Sequence, residues 1–297
     1  TPDPSSPLNE NFTLQELQNC ILSIKSTKKA TGSDPISYRM IQHFPLRTQQ
    51  ALLKLFRRCW EAGIIPSAWK QATVVPVPKP GKPPGSPESY RPISLTPHIS
   101  KVYERLIKTR LEYHLEKNRI IPVLQAGFRR GRGCTDNIVK ITSHIKRAMA
   151  KRRTVMAAFY DVKRAYDSVW HGRLLFKLSK IGISGNMYNF CKSFLQNRSF
   201  RVRSGSALSR VETVNMGVAQ GALISPIFYN IMVHDINEVK LKNAHITLYA
   251  DDLALWSNEN YKNLKSPYIQ KLVCNRFQSN VDRIVEYLKL NGFDLSA

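Results

Sequence analysis

The 297 residues carry 45 Lys and Arg against 21 Asp and Glu, a formal net charge of +24, with 42% apolar and 22% charged side chains. That apolar content excludes global disorder and supplies a core, while the positive excess repels itself in a compact fold and favours a polyphosphate partner, nucleic acid first, through counterion release. Five scattered cysteines with no CxxC pair argue against a disulfide framework or zinc site and for a reducing intracellular compartment; the longest apolar stretch, around 222–233, is too short and polar to span a bilayer.

A length of this order suggests two lobes. After the Pro/Ser-rich tail TPDPSSPLNENF, Thr13 and Glu16 read as a capping box ahead of Leu17, Ile21 and Ile24. In KKATGSDP, Asp34 is expected to cap a short helix with Pro35 at its first position. Leu52, Leu53, Leu55, Phe56 and Trp60 recur at helical spacing over 46–62, and Gly63 ends that core-facing helix. ATVVPVPKPGKPPG runs from a short strand into a stretch dense in Pro, Gly and Lys, whose prolines confine it to an edge or a loop. Helices over 100–116 and 135–149 flank the basic loop QAGFRRGRG.

The next segment, TVMAAFYD, is a nearly continuous apolar run, so it is expected as a strand packed on both faces with Asp161 at its end. Helices over 172–181 and 184–196, a hairpin from FRVRSG and RVETVNMG, and a helix capped and opened by Ser225 and Pro226 follow. The hairpin HITLYADDLALW carries Asp251 and Asp252 at its tip, and a helix over 267–290 closes the order. Strands and helices mixed without regular βαβ alternation predict an α+β fold.

Asp161, Asp251 and Asp252 each stand where an apolar strand should meet solvent. Acids on rigid strand edges suit a divalent cation of the Mg2+ type, which takes one or two carboxylates plus the phosphates of a substrate. An Asp-Asp tip taken alone is more often simply a turn. Tyr-Ala-Asp-Asp between two apolar arms is a narrower pattern.

YADD at 249–252 resembles the signature of reverse transcriptases, and other segments of that family occur in its order. FYDVKRAYDSVW looks like the first-aspartate segment and GVAQGALISP like the Gln-Gly segment, while PKPGK, YRPISL and QAGFRRGRG resemble the fingers of non-LTR, LINE-like elements of the Jockey/CR1 type. The resemblance covers roughly residues 30–297. It implies right-hand polymerase fingers over about 71–153 and a palm over about 154–297, with an antiparallel palm sheet packed on helices, after an N-terminal helical extension over 1–70.

The resemblance also implies an RNA-directed DNA polymerase that takes an RNA template, a DNA primer and dNTPs. Asp161, Asp251, Asp252 and the carbonyl of Val162 are expected to bind two Mg2+ ions, for which Mn2+ can substitute. Tyr166 is expected beneath the incoming sugar, where its ring excludes a 2'-hydroxyl, and Asp167 in hydrogen bonds within the fold. Gln220 and Gly221 should approach the template or nucleotide, although Ala219 and Ala222 replace the Pro and Ser of the common form. Arg91 with Lys79, or Lys82 in its place, should hold the triphosphate, and Phe128, Arg129, Arg130 and Arg132 should track the template. The family continues after the palm with a Lys-containing segment, a primer-grip hairpin and a helical thumb; if the chain is a complete polypeptide these are missing, and weak, distributive synthesis or none is expected. The competing readings are a nucleic-acid-binding remnant and an RNA-directed RNA polymerase; the YADD wording and Tyr166 argue against the latter. No membrane is expected as a partner, and nuclear access is implied by the resemblance alone.

Overall fold

The computed structural model describes residues 7–25, 30–259 and 266–296, and the start of the Pro/Ser-rich tail lies outside them. In chain order the elements are α1 (Leu14–Leu22), α2 (Tyr38–Gln42), α3 (Leu46–Ala62), α4 (Ser67–Lys70), β1 (Gln71–Pro78), β2 (Tyr90–Leu95), α5 (His98–Lys117), α6 (Cys134–Ala150) and β3 (Thr154–Lys163). They continue with α7 (His171–Lys180), α8 (Gly185–Leu195), β4 (Arg198–Ser204), β5 (Ala207–Leu208), β6 (Glu212–Val214), α9 (Ser225–Met232), β7 (Ala244–Tyr249), β8 (Asp252–Glu259), α10 (Pro267–Leu290) and β9 (Asp294–Leu295). The fold is mixed α+β. The chain divides into two compact units, Thr1–Asn118 with His171–Phe228 and Arg119–Trp170 with Tyr229–Ala297.

In the first unit the expected capping box forms: Glu16 N–H donates to Thr13 Oγ1 at 3.2 Å and Thr13 N–H to Glu16 Oε2 at 2.7 Å. Asp34, by contrast, caps no helix. Its Oδ1 accepts the Ile36 N–H at 3.1 Å, a local turn that competes with helix initiation, and α2 starts later, where Ser37 Oγ accepts from Met40 N–H at 3.2 Å. Gly63 ends α3 in the left-handed region at φ 63°, as expected, but Leu55 faces solvent. The core is aromatic: Phe12 meets Trp60 with ring centroids 4.9 Å apart, Phe56 meets Tyr103 at 4.9 Å, and Tyr103 meets Phe190 at 5.6 Å.

The sheet of this unit runs β2-β1-β4-β5, with β6 also on β4. The proline-rich strand β1 is therefore not confined to an edge: it pairs antiparallel with β2 and parallel with β4. Proline is accommodated because β4 pairs only Gln71–Val74, whereas Pro76 and Pro78 lie beyond that pairing and meet β2 alone.

The second unit is built on the sheet β7-β8-β3-β9. The central strand β8 is covered on both sides, with Leu253, Leu255, Trp256 and Ser257 buried. The expectation that β3 is packed on both faces is overturned. Its burial alternates, Phe159 is 71% exposed, and the strand runs two residues past Asp161 to Lys163. An antiparallel strand with one open face can hold apolar residues on both sides. Helix α10 buries Phe277, Val281, Ile284 and Leu288 as one helical stripe. No helix among the described residues is long and apolar enough to cross a membrane.

Candidate active site

The acidic tip is a two-residue turn. Tyr249 pairs with Asp252 across β7–β8, leaving Ala250 and Asp251 as the connection. Asp252 is simultaneously opposite Asp161 of β3, so one residue faces neighbours on both sides. Directly opposed residues of an antiparallel pair have Cα atoms about 4.5–5.5 Å apart, which brings the two side chains together on one edge. The Val162 N–H donates to Asp251 O at 3.1 Å and ties the turn to β3. Ser296, just past β9, donates through N–H and Oγ to Asp161 O at 2.8 and 3.0 Å, and its Oγ also reaches Asp161 Oδ2 at 3.1 Å.

Ala250 adopts a left-handed conformation, φ 56°, that L-residues avoid. What holds it there comes from the loop between α5 and α6. Gln125 Oε1 accepts from Ala250 N–H at 3.1 Å and from Gly127 N–H at 2.8 Å, while its Nε2 donates to Ala250 O at 3.2 Å. Gly127 packs so closely that an added Cβ would lie 2.1 Å from Ala250 N. Asn137 of α6 supports the same hairpin, donating to Leu248 O at 2.9 Å and accepting from Thr247 Oγ1 at 2.7 Å.

Two of the acids are shifted by burial and by their neighbours' charge. Burial raises the Asp251 carboxyl above the usual range, and the charges of Asp161 and Asp252 add to it; burial and then Asp161 raise Asp252. Tyr229, fully buried on α9, has a hydroxyl with no hydrogen-bond partner. Burial pushes that phenol up, and the charge of Asp251 adds to the effect ahead of those of Asp161 and Asp252, which places the orphaned oxygen in the field of the acids. Among the described residues no group of three or more His, Cys, Asp or Glu side chains forms a ready cage for a metal. An open edge of carboxylates nonetheless suits a hard cation that keeps positions for substrate oxygens. A cavity of about 420 Å³ opens beside Asp161 and Asp252, walled by Ile138, Phe159, Tyr249 and Leu253 among others.

Tyr166 stands in the turn after β3, stacked on Tyr229 with centroids 6.1 Å apart, and after burial the charge of Asp251 raises its phenol further. Phe128 packs edge-on against Tyr166 at 6.3 Å. In the same loop Arg129 donates to Pro122 O at 2.7 Å and Gln125 O at 3.1 Å, and Arg132 to Val123 O at 3.0 Å, whereas Arg130 is exposed. Asp167 lies exposed in the turn after β3.

The first unit holds the other expected residues as two groups. Lys79 and Arg91 belong to the β1–β2 hairpin: Val77 pairs with Arg91, and Lys79 N–H donates to Ser89 O at 2.8 Å, so alternation puts both side chains on one face. Lys82 closes the connecting turn through its N–H to Lys79 O, at 3.3 Å. Gln220 and Gly221 lie against β2, where Ser94 N–H donates to Gln220 O at 2.7 Å. Gly221 has φ 118°, and an added Cβ would lie 2.7 Å from Ser94 O, so both conformation and space demand glycine. Ser225 is the first residue of α9 and not its cap; its Oγ donates to Ala219 O at 2.9 Å.

Sequence reading singled out the acids, Val162 and Tyr166 but not Gln125, Gly127, Tyr229 or Ser296. The glycines of QAGFRRGRG carry a signal for Gln125 and Gly127, whereas its arginines point to template contacts.

Residues 77–297 match the family described as reverse transcriptase (RNA-dependent DNA polymerase). The chain is 34% identical over 257 residues to the RNA-directed DNA polymerase from mobile element jockey of Drosophila melanogaster, covering 84% of this chain and 28% of that protein. It is 32% identical over 265 residues to the probable RNA-directed DNA polymerase from transposon BS of the same species, covering 86% and 29%. The probable RNA-directed DNA polymerase from transposon X-element, again of D. melanogaster, is 32% identical over 234 residues, covering 78% and 26%. The chain thus spans less than a third of these relatives.

Proposed function

Because the chain belongs to the reverse transcriptase family, we propose that it adds dNTPs to the 3'-hydroxyl of a DNA primer on an RNA template, using the edge formed by Asp161, Asp251 and Asp252. The observation that carries this reading is the register: Asp252 opposes Asp161 across β8–β3, next to Asp251 in the turn, with Tyr166 close enough to Asp251 to feel its charge. A pair of Mg2+ ions, when bound, would activate the primer hydroxyl and offset charge on the leaving pyrophosphate.

The chain's own residues do the rest. Asp161 and Asp252 offer carboxylate oxygens on an exposed edge, with Asp251 and the carbonyl of Val162 as further oxygen donors. Gln125 holds the Ala250 turn, and so fixes the direction of the acids. The Tyr166 ring, braced by Phe128 and Tyr229, selects against a ribonucleotide by occupying the space of a 2'-hydroxyl. Lys79, or Lys82 in its place, and Arg91 supply cationic donors for a triphosphate, Arg as a planar fork and Lys as a mobile charge. Gln220 and Gly221 contact the nucleotide or template, and Arg130 meets template phosphate.

The test is Mg2+-dependent. Mg2+ should raise the melting temperature of the parent chain by linkage and support primer extension. Asp161→Asn should abolish extension and most of the Mg2+ shift. Full extension by Asp161→Asn in Mg2+ would refute the metal assignment.

A further inference from the structure

Among the described residues, Glu104 of α5 is a deeply buried acid that the proposed chemistry leaves unused, only 2% exposed. Its two oxygens have different donors: Leu223 N–H at 2.7 Å on Oε2 and the Ser100 hydroxyl at 3.4 Å on Oε1. Burial raises its carboxyl, and Arg198, the Leu223 N–H, Lys101 and Ser100 each pull the other way. Arg198, at the start of β4 and 5% exposed, lies over the Phe194 ring at 4.6 Å, and its Nη2 has no hydrogen-bond partner. A carboxylate this deep is retained against a desolvation penalty, so what it holds is informative.

What it holds is the segment just after Gln220 and Gly221. That segment is anchored at two points, by Ser94 N–H on Gln220 O and by Glu104 on Leu223 N–H, three residues apart in sequence. The first anchor comes from β2, the strand that carries Arg91. Ala219 O and Ala222 N–H close the loop between them at 3.2 Å.

We propose that Glu104 is a positioning residue for the nucleotide: by accepting the Leu223 N–H it fixes the Gln220-Gly221 loop in the conformation that contacts the incoming dNTP. The role of that loop rests on the function proposed above, whereas the anchor itself does not. A bland alternative is that Glu104 merely neutralises buried Arg198. The two separate when the cation is removed first.

The experiment compares Glu104→Gln/Arg198→Met with Glu104→Leu/Arg198→Met, folding of each being checked by its melting transition. Neither double variant buries an unpaired charge at these positions, and only the Gln form keeps an oxygen for the Leu223 N–H. Relative to the Gln form, the Leu form should raise the KM for dTTP about tenfold with little change in kcat, the equivalent of one net hydrogen bond. Amide exchange over residues 219–224 should accelerate in the Leu form alone. Equal KM values, equal exchange, or a loss confined to kcat would overturn the proposal. If the parent chain extends no primer, the proposed function fails, and exchange at Leu223 still decides whether Glu104 anchors the loop.

Discussion

Gly127 and Gln125 illustrate how the site depends on residues with no chemistry of their own. Gly127→Ala would drive a methyl to within 2.1 Å of the Ala250 amide nitrogen, so the acidic turn or the loop must move. We expect a loss of about 1–3 kcal/mol of stability, read from urea melts, together with loss of primer extension. Tyr166→Ala should leave the acids in place while reducing the preference for dTTP over UTP; an unchanged discrimination ratio would remove Tyr166 from sugar selection. Among the arginines of this loop the partners predict a division. Arg130→Ala should lower the salt dependence of template binding, by about one in the slope of log affinity against log salt. Arg129→Ala and Arg132→Ala, whose guanidinium groups brace loop carbonyls, should instead show in stability. The strand-edge pattern drew attention to the acids and the family resemblance to Tyr166, but Gln125 and Ala250 are 125 positions apart, and nothing local announces their hydrogen bonds.

At the level of elements, periodicity and caps served well wherever a segment's structure is settled by its own residues. The α1 capping box, the glycine end of α3 and the long α10 helix are of this kind. Local sequence does not settle structure where neighbours decide. Strand β1 gained a second partner in β4, β3 kept an open face despite an apolar sequence, and the two-residue β9 has too little sequence to show a pattern. One element-level contact makes a pH prediction. His144 of α6 and His245 of β7 lie with ring centroids 4.6 Å apart beside Trp256 of β8. Burial lowers both imidazoles, with Arg147 adding to the effect on His144, and His144 and Lys140 to that on His245. A lowered folded-state pKa means the unfolded chain takes up protons first. Stability from this pair is therefore fully present above about pH 6.5, the unfolded-state value, and is lost as pH falls from there through the lowered folded-state values. Urea midpoints should drop between about pH 7.5 and 5.5, and His245→Phe should flatten that drop; an equal drop in the variant would exclude the pair as its source.

On the scale of the whole molecule, two interleaved segments form each compact unit, so no boundary at a single point in the sequence separates them. The +24 net charge sets a large counterion-release term for the nucleic-acid partner proposed above. If about six phosphates are neutralised, affinity for a primer-template should fall about a thousandfold between about 50 and 200 mM salt, and fluorescence anisotropy would read this directly. If Asp161, Asp251 and Asp252 form the centre of an RNA-directed DNA polymerase, as proposed above, the chain extends oligo(dT) on poly(rA). Products should form with dTTP in the presence of Mg2+, far fewer with UTP, and none from Asp251→Asn. Binding without extension, or extension that survives Asp251→Asn, would contradict that proposal.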